Sequence, residues 1–173
     1  PQLGPNVQRL LKLTTILFSL AFVYLAWNCY LGDSEIWAIS LAKQFPNLQT
    51  DNISLLYKLP FYAFIRPVYL FSQSNVEVFH NSRILFAILG LVLVFLTYKL
   101  ALIAFGSKTK ALWAALFLLT MTIFFNRGFR VRSDLLACSF HLLFLINFHS
   151  WLNSKSLLQP KRLLIFSSLT LLM

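Results

Sequence analysis

The sequence predicts an all-α fold, a polytopic bundle of about five transmembrane helices with juxtamembrane amphipathic helices in its first outer loop. Composition supports this prediction, because apolar residues make up 58% of the 173 residues and charged residues only 12%. A soluble domain usually carries about a quarter charged residues. The apolar residues also form blocks of about 15 to 20, long enough for a helix to cross a hydrocarbon core of about 30 Å. Lipid offers the backbone no hydrogen bonds, so each block must be helical.

The apolar blocks place the expected spans at residues 13–31, 84–105, 111–125 and 135–152, with a fifth that begins at residue 163. The chain begins with Pro1 rather than Met, and its last block is too short to span a membrane. We therefore expect a piece of a longer polypeptide, in which residues 1–173 are the N-terminal part of one transmembrane domain.

Residues 32–82 form an outer loop that is far longer than a compact connection needs. Within it, residues 34–45 read SEIWAISLAKQF, a mixture of apolar and polar residues that predicts a short amphipathic helix at the membrane interface. Residues 53–71 are a second apolar stretch, interrupted by Pro60 and Pro67, and we expect a reentrant or juxtamembrane pair of helices there. The alternative is a sixth transmembrane span, which would invert the topology of everything that follows.

Charge predicts the orientation of the protein in the membrane. If the N-terminus is cytoplasmic, the short links on that side are rich in Lys and Arg and hold none of the five acids. The opposite face then holds all of them: Asp33, Glu35, Asp51, Glu77 and Asp134. We expect a bacterial inner membrane, with the active face periplasmic or extracellular. The net charge of +10 does not indicate nucleic acid binding, because the basic residues form no soluble stripe with interleaved aromatics.

Two carboxylates, Asp33 and Glu35, directly follow the first span. Carboxylates at the mouth of a span are costly unless they are solvated, paired or used in chemistry. One of them can take a proton from an acceptor hydroxyl as a general base. The alternative is a solvated helix cap, since Asp33 or Ser34 suits the position before the amphipathic helix. The spacing by itself favours the cap.

Three arginines, Arg127, Arg130 and Arg132, lie within six residues on the same face, just before Asp134 begins the fourth span. Guanidinium groups pair bidentately with phosphate oxygens, so this cluster predicts phosphate or pyrophosphate binding. The alternatives are arginines that anchor at lipid headgroups and an aspartate that suits the positive end of a helix. Lys58 is a further candidate phosphate contact, or a lysine that extends along the interface.

The cysteines and the two histidines of the fourth span show no metal or redox pattern. Cys29 and Cys138 have no ligand-like spacing, so we expect two buried, small apolar residues. His141 and His149 lack a nearby carboxylate and are expected to be hydrogen-bonded core residues. The sequence contains no phosphate-binding Gly-rich loop, HExxH or CxxC motif.

The order of these motifs resembles the N-terminal part of the GT-C glycosyltransferases. The similar branch uses polyprenyl-phosphate sugars and includes protein O-mannosyltransferases and the lipid A aminoarabinose transferase. The similar segments, in chain order, are the acidic motif 32–37, the Lys-Leu-Pro segment 58–62, Arg83 before the second span, the Gly turn 105–108 and the Arg/Asp motif 130–136. A serine separates the two acids here, so either one can match the family's catalytic acid. Leu59 separates Lys58 from Pro60, which departs from the family pattern.

The resemblance implies inverting glycosyl transfer on the non-cytoplasmic face, from a polyprenyl-phosphate-linked sugar donor within the lipid to a lipid, glycan or protein acceptor. Asp33 or Glu35 would act as general base. Asp134 would orient an arginine, contact the acceptor or, with Asp33, hold a divalent metal. The departing phosphate would be held by Lys58, Arg127, Arg130 and Arg132. The alternative is a non-catalytic membrane scaffold or assembly subunit. A transporter fits less well, because the spans hold few ionisable residues.

Overall fold

The computed structural model describes residues 5–28, 33–44, 59–121, 124–125, 128, 130–154 and 165, and for residues 33, 34, 37, 59, 151, 153 and 154 the backbone alone. Within these ranges the regular elements are α1 (Pro5–Asn28), α2 (Asp33–Gln44), α3 (Leu59–Ile65), a 3-10 helix (Arg66–Leu70), α4 (Asn75–Phe105), α5 (Lys108–Thr120) and α6 (Ser133–Ser154). All of them are helical, which confirms the all-α prediction.

Two helices of the described part are long and apolar enough to cross a membrane: α1 with 24 residues and α4 with 31. α5 has 13 residues, or about 20 Å at 1.5 Å per residue, which is shorter than a hydrocarbon core of about 30 Å. The structure therefore supports two of the five expected spans by length and composition, and the fifth expected span lies almost entirely outside the described residues.

The start of α4 differs from the prediction, which placed the helix at residues 84–105. The helix begins at Asn75, because Ser74 caps it by accepting a hydrogen bond from the backbone N–H of Glu77 at 3.2 Å. The Glu77 carboxylate in turn accepts one from the backbone N–H of Gln73 at 2.7 Å. This reciprocal arrangement is close to a capping box and satisfies N–H groups that the first turn leaves without partners.

α1 and α4 run antiparallel, as contacts at both ends of α1 show. Near its start, Gln8 Nε2 lies 3.4 Å from Thr109 Oγ1 at the beginning of α5. Near its end, the rings of Trp27 and His80 lie 4.8 Å apart. We call the end of the bundle where α1 ends and α4 begins the upper end, and the end where α4 meets α5 the lower end.

At the lower end the chain reverses through Gly106, which has a φ of 61°. This left-handed conformation is one that glycine adopts without a steric cost, and it ends α4 with a hydrogen bond from the Gly106 N–H to the Leu102 carbonyl at 2.9 Å. α5 then returns along α4 toward the upper end, where the described residues 124, 125, 128 and 130–132 precede α6. α6 packs along α4 in its turn.

The segment between α1 and α4 contains a helix, α2, where the sequence predicts the amphipathic helix. It packs on α3 and the 3-10 helix, where the Tyr69 hydroxyl donates to the Ile39 carbonyl at 2.6 Å and the Arg66 guanidinium donates to the Lys43 carbonyl. Pro60 and Pro67 both lie in the first turn of their helices, where a missing N–H costs nothing. The described part of the second apolar stretch is thus two short helices and not a sixth span; residues 53–58 lie outside the described ranges.

The core between α1 and α4 is aromatic and closely packed. Phe22 and Phe86 are fully buried, and the Phe22 ring stacks on Phe124 with centroids 5.4 Å apart. Gly90 permits this approach, because a Cβ there would lie 2.9 Å from the Phe22 ring and 3.0 Å from the Gly128 carbonyl oxygen. The absence of a side chain at Gly90 therefore brings the segment before α6 against the backbone of α4.

Candidate functional site

A buried ion pair joins α2 to α4 at the upper end of the bundle. Arg83 Nη2 lies 2.9 Å from Glu35 Oε2, and Arg83 Nε lies 3.3 Å from Glu35 Oε1. The two side chains are 3% and 0% exposed. Such a two-pronged contact is the strong form of an arginine–carboxylate pair, and at this depth each charge depends on the other for its solvation.

The same carboxylate also contacts the segment that precedes α6. The backbone N–H of Val131 donates to Glu35 Oε1 at 3.2 Å, across 96 positions of the sequence. Glu35 therefore ties together α2, α4 and the turn that carries Arg130 and Arg132. The acidic motif after the first helix and the arginine motif before α6 therefore lie at the same end of the bundle. Both motifs can contact one substrate only if they share an end.

We call residues 130–132 the arginine turn. Its two arginines lie on either side of a buried residue, Val131. Val131 is 1% exposed, whereas its neighbour Arg132 is 46% exposed and Arg130 is half-buried. Arg132 Nη2 lies 2.8 Å from Asp134 Oδ2, and Asp134 is 65% exposed in the first turn of α6. An acid in that position suits the positive end of the helix. Within the described ranges no carboxylate pairs with Arg130.

The arginines line a cavity of about 360 Å³ between α4, α5 and α6, and we call the part that they line its mouth. Its polar lining comes from Arg130, Arg132 and Asp134. The rest of the lining is mostly apolar and comprises Leu93, Leu118, Met121, Phe124, Gly128, Leu135 and Cys138. The polar part of the lining therefore holds two cations and one acid, and the remainder is mostly apolar.

A second cavity of about 430 Å³ continues the first toward the lower end. The two share Leu93, Leu118 and Cys138, and the second adds Thr97, Ala137, His141 and Leu142. We call the two together the α4–α6 groove. The groove runs along α6 from Leu135 to Leu142, a rise of seven residues or about 10 Å.

The groove corrects the predictions for two side chains of α6. Cys138 and His141 were expected in the core, yet both are exposed and line the groove. His149, also expected in the core, is exposed as well. Composition and spacing do not distinguish a helix face buried against protein from one that lines a groove. Cys29 lies outside the described residues.

The remaining predicted site residues are only partly described. Asp33 is the first residue of α2 at the upper end, but its side chain lies outside the described part, as do Lys58 and Arg127. Among the residues that are described, no three His, Cys, Asp or Glu side chains group together as a metal site requires. The metal role of Asp33 and Asp134 stays a prediction.

Sequence reasoning recognised Arg83 as a motif residue but assigned it no role. The signal that was available is its position, since an arginine next to a long apolar block needs a partner if it is buried. Two hydroxyls at this end, Tyr62 Oη and Ser82 Oγ, are also buried and have no hydrogen-bond partner among the described residues. Nothing in the sequence identifies them.

No protein-family model, curated protein or solved structure matches this chain. The similarity to the GT-C glycosyltransferases therefore rests on the motifs of the sequence.

Proposed function

We propose that this chain is part of a membrane glycosyltransferase that moves a sugar from a polyprenyl-phosphate donor to an acceptor at the upper end of the bundle. The observation that carries this proposal is the α4–α6 groove, with Arg130 and Arg132 at its mouth and apolar residues below. A lipid phosphate has the complementary form, an anion attached to a hydrocarbon chain. Arginine suits the anion because its planar group contacts two phosphate oxygens at once.

The outward face of α1 supports a membrane location. Between residues 13 and 27 every exposed residue is apolar, which a lipid surface accommodates and water does not: Leu13, Ile16, Leu17, Leu20, Ala21, Val23, Tyr24 and Trp27. In our proposal the whole chain has five spans, the N-terminus is cytoplasmic, and the upper end faces the periplasm or the cell exterior. This orientation places the acidic residues on the side of the acceptor.

The chemistry that we propose is an inverting displacement at the anomeric carbon of the donor sugar. The acceptor hydroxyl gives its proton to a carboxylate as its oxygen attacks, and the bond to phosphate breaks, which releases polyprenyl phosphate. Arg130 and Arg132 stabilise the negative charge that develops on the leaving group, with Arg127 and Lys58 as further phosphate contacts. Asp134 is paired with Arg132 and orients it before the donor binds, and the phosphate then displaces the carboxylate.

Asp33 is the base that we propose, because both oxygens of Glu35 already accept N–H donors inside the protein. A general base must also be within hydrogen-bond reach of the proton that it removes. Glu35 is fully buried behind the turn, whereas Asp33 begins α2 at the same end.

Transfer of labelled sugar by the full-length protein, reconstituted in liposomes with a polyprenyl-phosphate sugar, tests the proposal. We expect Asp33→Asn to lower the transfer rate about 10²–10⁴-fold, the usual contribution of a positioned base. Asp51→Asn, which removes an acid from the same loop, is the matched control and should leave the rate near that of the unchanged protein. No transfer by the unchanged protein, or normal transfer by Asp33→Asn, contradicts the proposal.

A further inference from the structure

We propose that Glu35 and Arg83 are positioning residues that hold the arginine turn at the mouth of the α4–α6 groove. The inference rests on the proposed function for what the turn binds, and on the contacts of Glu35 for how the turn is held. Neither residue touches the groove, since neither is part of its lining. They act through the backbone of Val131.

The hydrogen bond to Val131 holds the turn at its centre. Val131 lies between the two arginines, its side chain is buried, and its N–H donates to Glu35 Oε1 at 3.2 Å. Arg130 and Arg132 are the immediate chain neighbours of Val131, and both are more exposed than it is. A shift of this one residue would therefore displace both guanidinium groups from the mouth of the groove.

Arg83 is what makes Glu35 suitable for this task. A carboxylate that is 0% exposed needs a positive partner to stay charged, and the guanidinium supplies two contacts at 2.9 and 3.3 Å. A hydrogen bond from an N–H group to a charged oxygen is roughly twice as strong as one to a neutral oxygen. The arginine thus fixes the carboxylate, and the carboxylate fixes the turn.

A second contact holds the same turn three residues earlier. The carbonyl oxygen of Gly128 approaches Gly90 so closely that an added Cβ would lie 3.0 Å from it. Packing against α4 therefore sets residue 128, and hydrogen bonding to α2 sets residue 131. Arg130 lies between these two points, and Arg132 directly follows the second.

The first experiment measures binding of undecaprenyl phosphate to the full-length protein in nanodiscs, with inorganic phosphate as a separate ligand. We expect Glu35→Gln, which keeps the size of the side chain and removes its charge, to weaken binding of the lipid phosphate about tenfold. Inorganic phosphate should bind far more weakly than the lipid if the groove holds the chain. Equal affinity for both ligands contradicts the assignment of the groove.

A double-mutant cycle separates positioning from general stability. If Glu35 acts through the arginines, Glu35→Gln should have no further effect in a protein that already carries Arg130→Ala and Arg132→Ala. If Glu35→Gln lowers the affinity for undecaprenyl phosphate by the same factor in both backgrounds, the inference is overturned. If the two arginine substitutions themselves leave binding unchanged, the proposed function fails, and the cleavage measurement below then decides the positioning role by itself.

Trypsin cleavage of the Arg130–Val131 bond reports on the turn without any ligand, because the amide of that bond is the donor to Glu35. Glu35→Gln should speed cleavage there and leave cleavage after Lys110, an exposed residue at the lower end, unchanged. An equal increase at both positions shows general loosening and overturns the inference. An unchanged rate at Arg130 overturns it as well.

Val131→Pro serves if Glu35→Gln does not fold. It removes the N–H donor and leaves the ion pair intact, so the affinity for undecaprenyl phosphate should fall by the same factor as with Glu35→Gln. Val131→Ala keeps the N–H and is the matched control, with affinity near that of the unchanged protein. Equal affinity of the two position-131 variants contradicts the role of this hydrogen bond.

Discussion

Among the residues that the structure describes, the upper end of the bundle holds two arginine–carboxylate pairs of nearly equal length in very different surroundings. Arg83 and Glu35 are separated by 2.9 Å and are 3% and 0% exposed. Arg132 and Asp134 are separated by 2.8 Å and are 46% and 65% exposed. The distance between the charges therefore does not distinguish the pairs, and the access of solvent does.

This difference assigns the two pairs to different tasks. A buried pair has lost its hydration, so removal of one partner leaves a charge without compensation. An exposed pair exchanges easily with water and ions, and its net contribution to stability is about 0–1 kcal/mol. The first pair suits the support of a structure, and the second leaves an arginine available for a ligand.

Arg83→Leu has the largest effect that we expect. It leaves Glu35 buried and charged, and should lower the free energy of unfolding by about 3–5 kcal/mol. Arg132→Leu, the matched change in the exposed pair, should lower it by less than about 1 kcal/mol. Denaturant unfolding of the full-length protein in detergent measures both values, and equal losses would remove the distinction between the pairs.

Replacement of the whole buried pair sharpens this result. Glu35→Leu together with Arg83→Leu should recover most of the stability lost in the single variant, because no charge is then left buried. Trypsin cleavage after Arg130 should nevertheless stay fast, since Val131 has lost its acceptor. If the double variant recovered both the free energy of unfolding and slow cleavage after Arg130, packing alone would hold the turn.

Gly90→Ala tests how much of the support comes from packing. The new methyl group would lie 2.9 Å from the Phe22 ring and 3.0 Å from the Gly128 carbonyl, and such overpacking costs about 1–3 kcal/mol. The better helix propensity of alanine offsets up to about 1 kcal/mol of this. Ile88→Ala, at an exposed position of the same helix, is the control in the same unfolding measurement. A gain in stability for Gly90→Ala would contradict the close contact.

Asp134→Asn should affect binding more than stability. The carboxylate competes with a phosphate for Arg132, so its neutralisation should raise the affinity for undecaprenyl phosphate a few-fold. The free energy of unfolding should change by less than about 1 kcal/mol. The gain should shrink at high salt, because the pair is exposed and screened. A loss of affinity would instead place Asp134 among the groups that orient the ligand.

Tyr62→Phe should have the smallest effect, since it removes a buried hydroxyl that has no partner among the described residues. The free energy of unfolding should stay the same or rise by up to about 1 kcal/mol. Tyr69→Phe is the matched control: its hydroxyl donates to the Ile39 carbonyl at 2.6 Å, and its removal should cost about 1 kcal/mol. Equal losses from both variants would indicate a partner for Tyr62 beyond the described residues.

Several elements followed directly from local sequence. The amphipathic pattern of residues 34–45 predicted α2 within about one residue at each end. The pair of helices expected in the second apolar stretch matches α3 and the 3-10 helix, which meet next to Pro67. The start of α4 was wrong by nine residues, from 84 to Asn75. The prediction followed the apolar block, whereas the helix begins at a cap of Ser74 and Glu77 in polar sequence.

Part of the candidate site was also predictable from the sequence, namely which motifs share one face, but the contacts between their side chains were not. The sequence placed Glu35 and the motif of Arg130 and Arg132 on one face, and the structure brings these segments into contact. It did not predict that Glu35 would be buried against Arg83, because the two are separated by 48 positions. It also placed Cys138 in the core, and the side chain lines a groove instead.

By itself, then, the sequence determined that this chain is helical, where its apolar blocks lie, and that acidic and arginine motifs follow particular blocks. These properties depend on composition and on spacing along one helix, which local sequence encodes. Only the tertiary structure decided that one carboxylate is a buried support and that an apolar groove lies below the arginines. Burial and pairing depend on which helices pack together, and distant parts of the chain set that jointly.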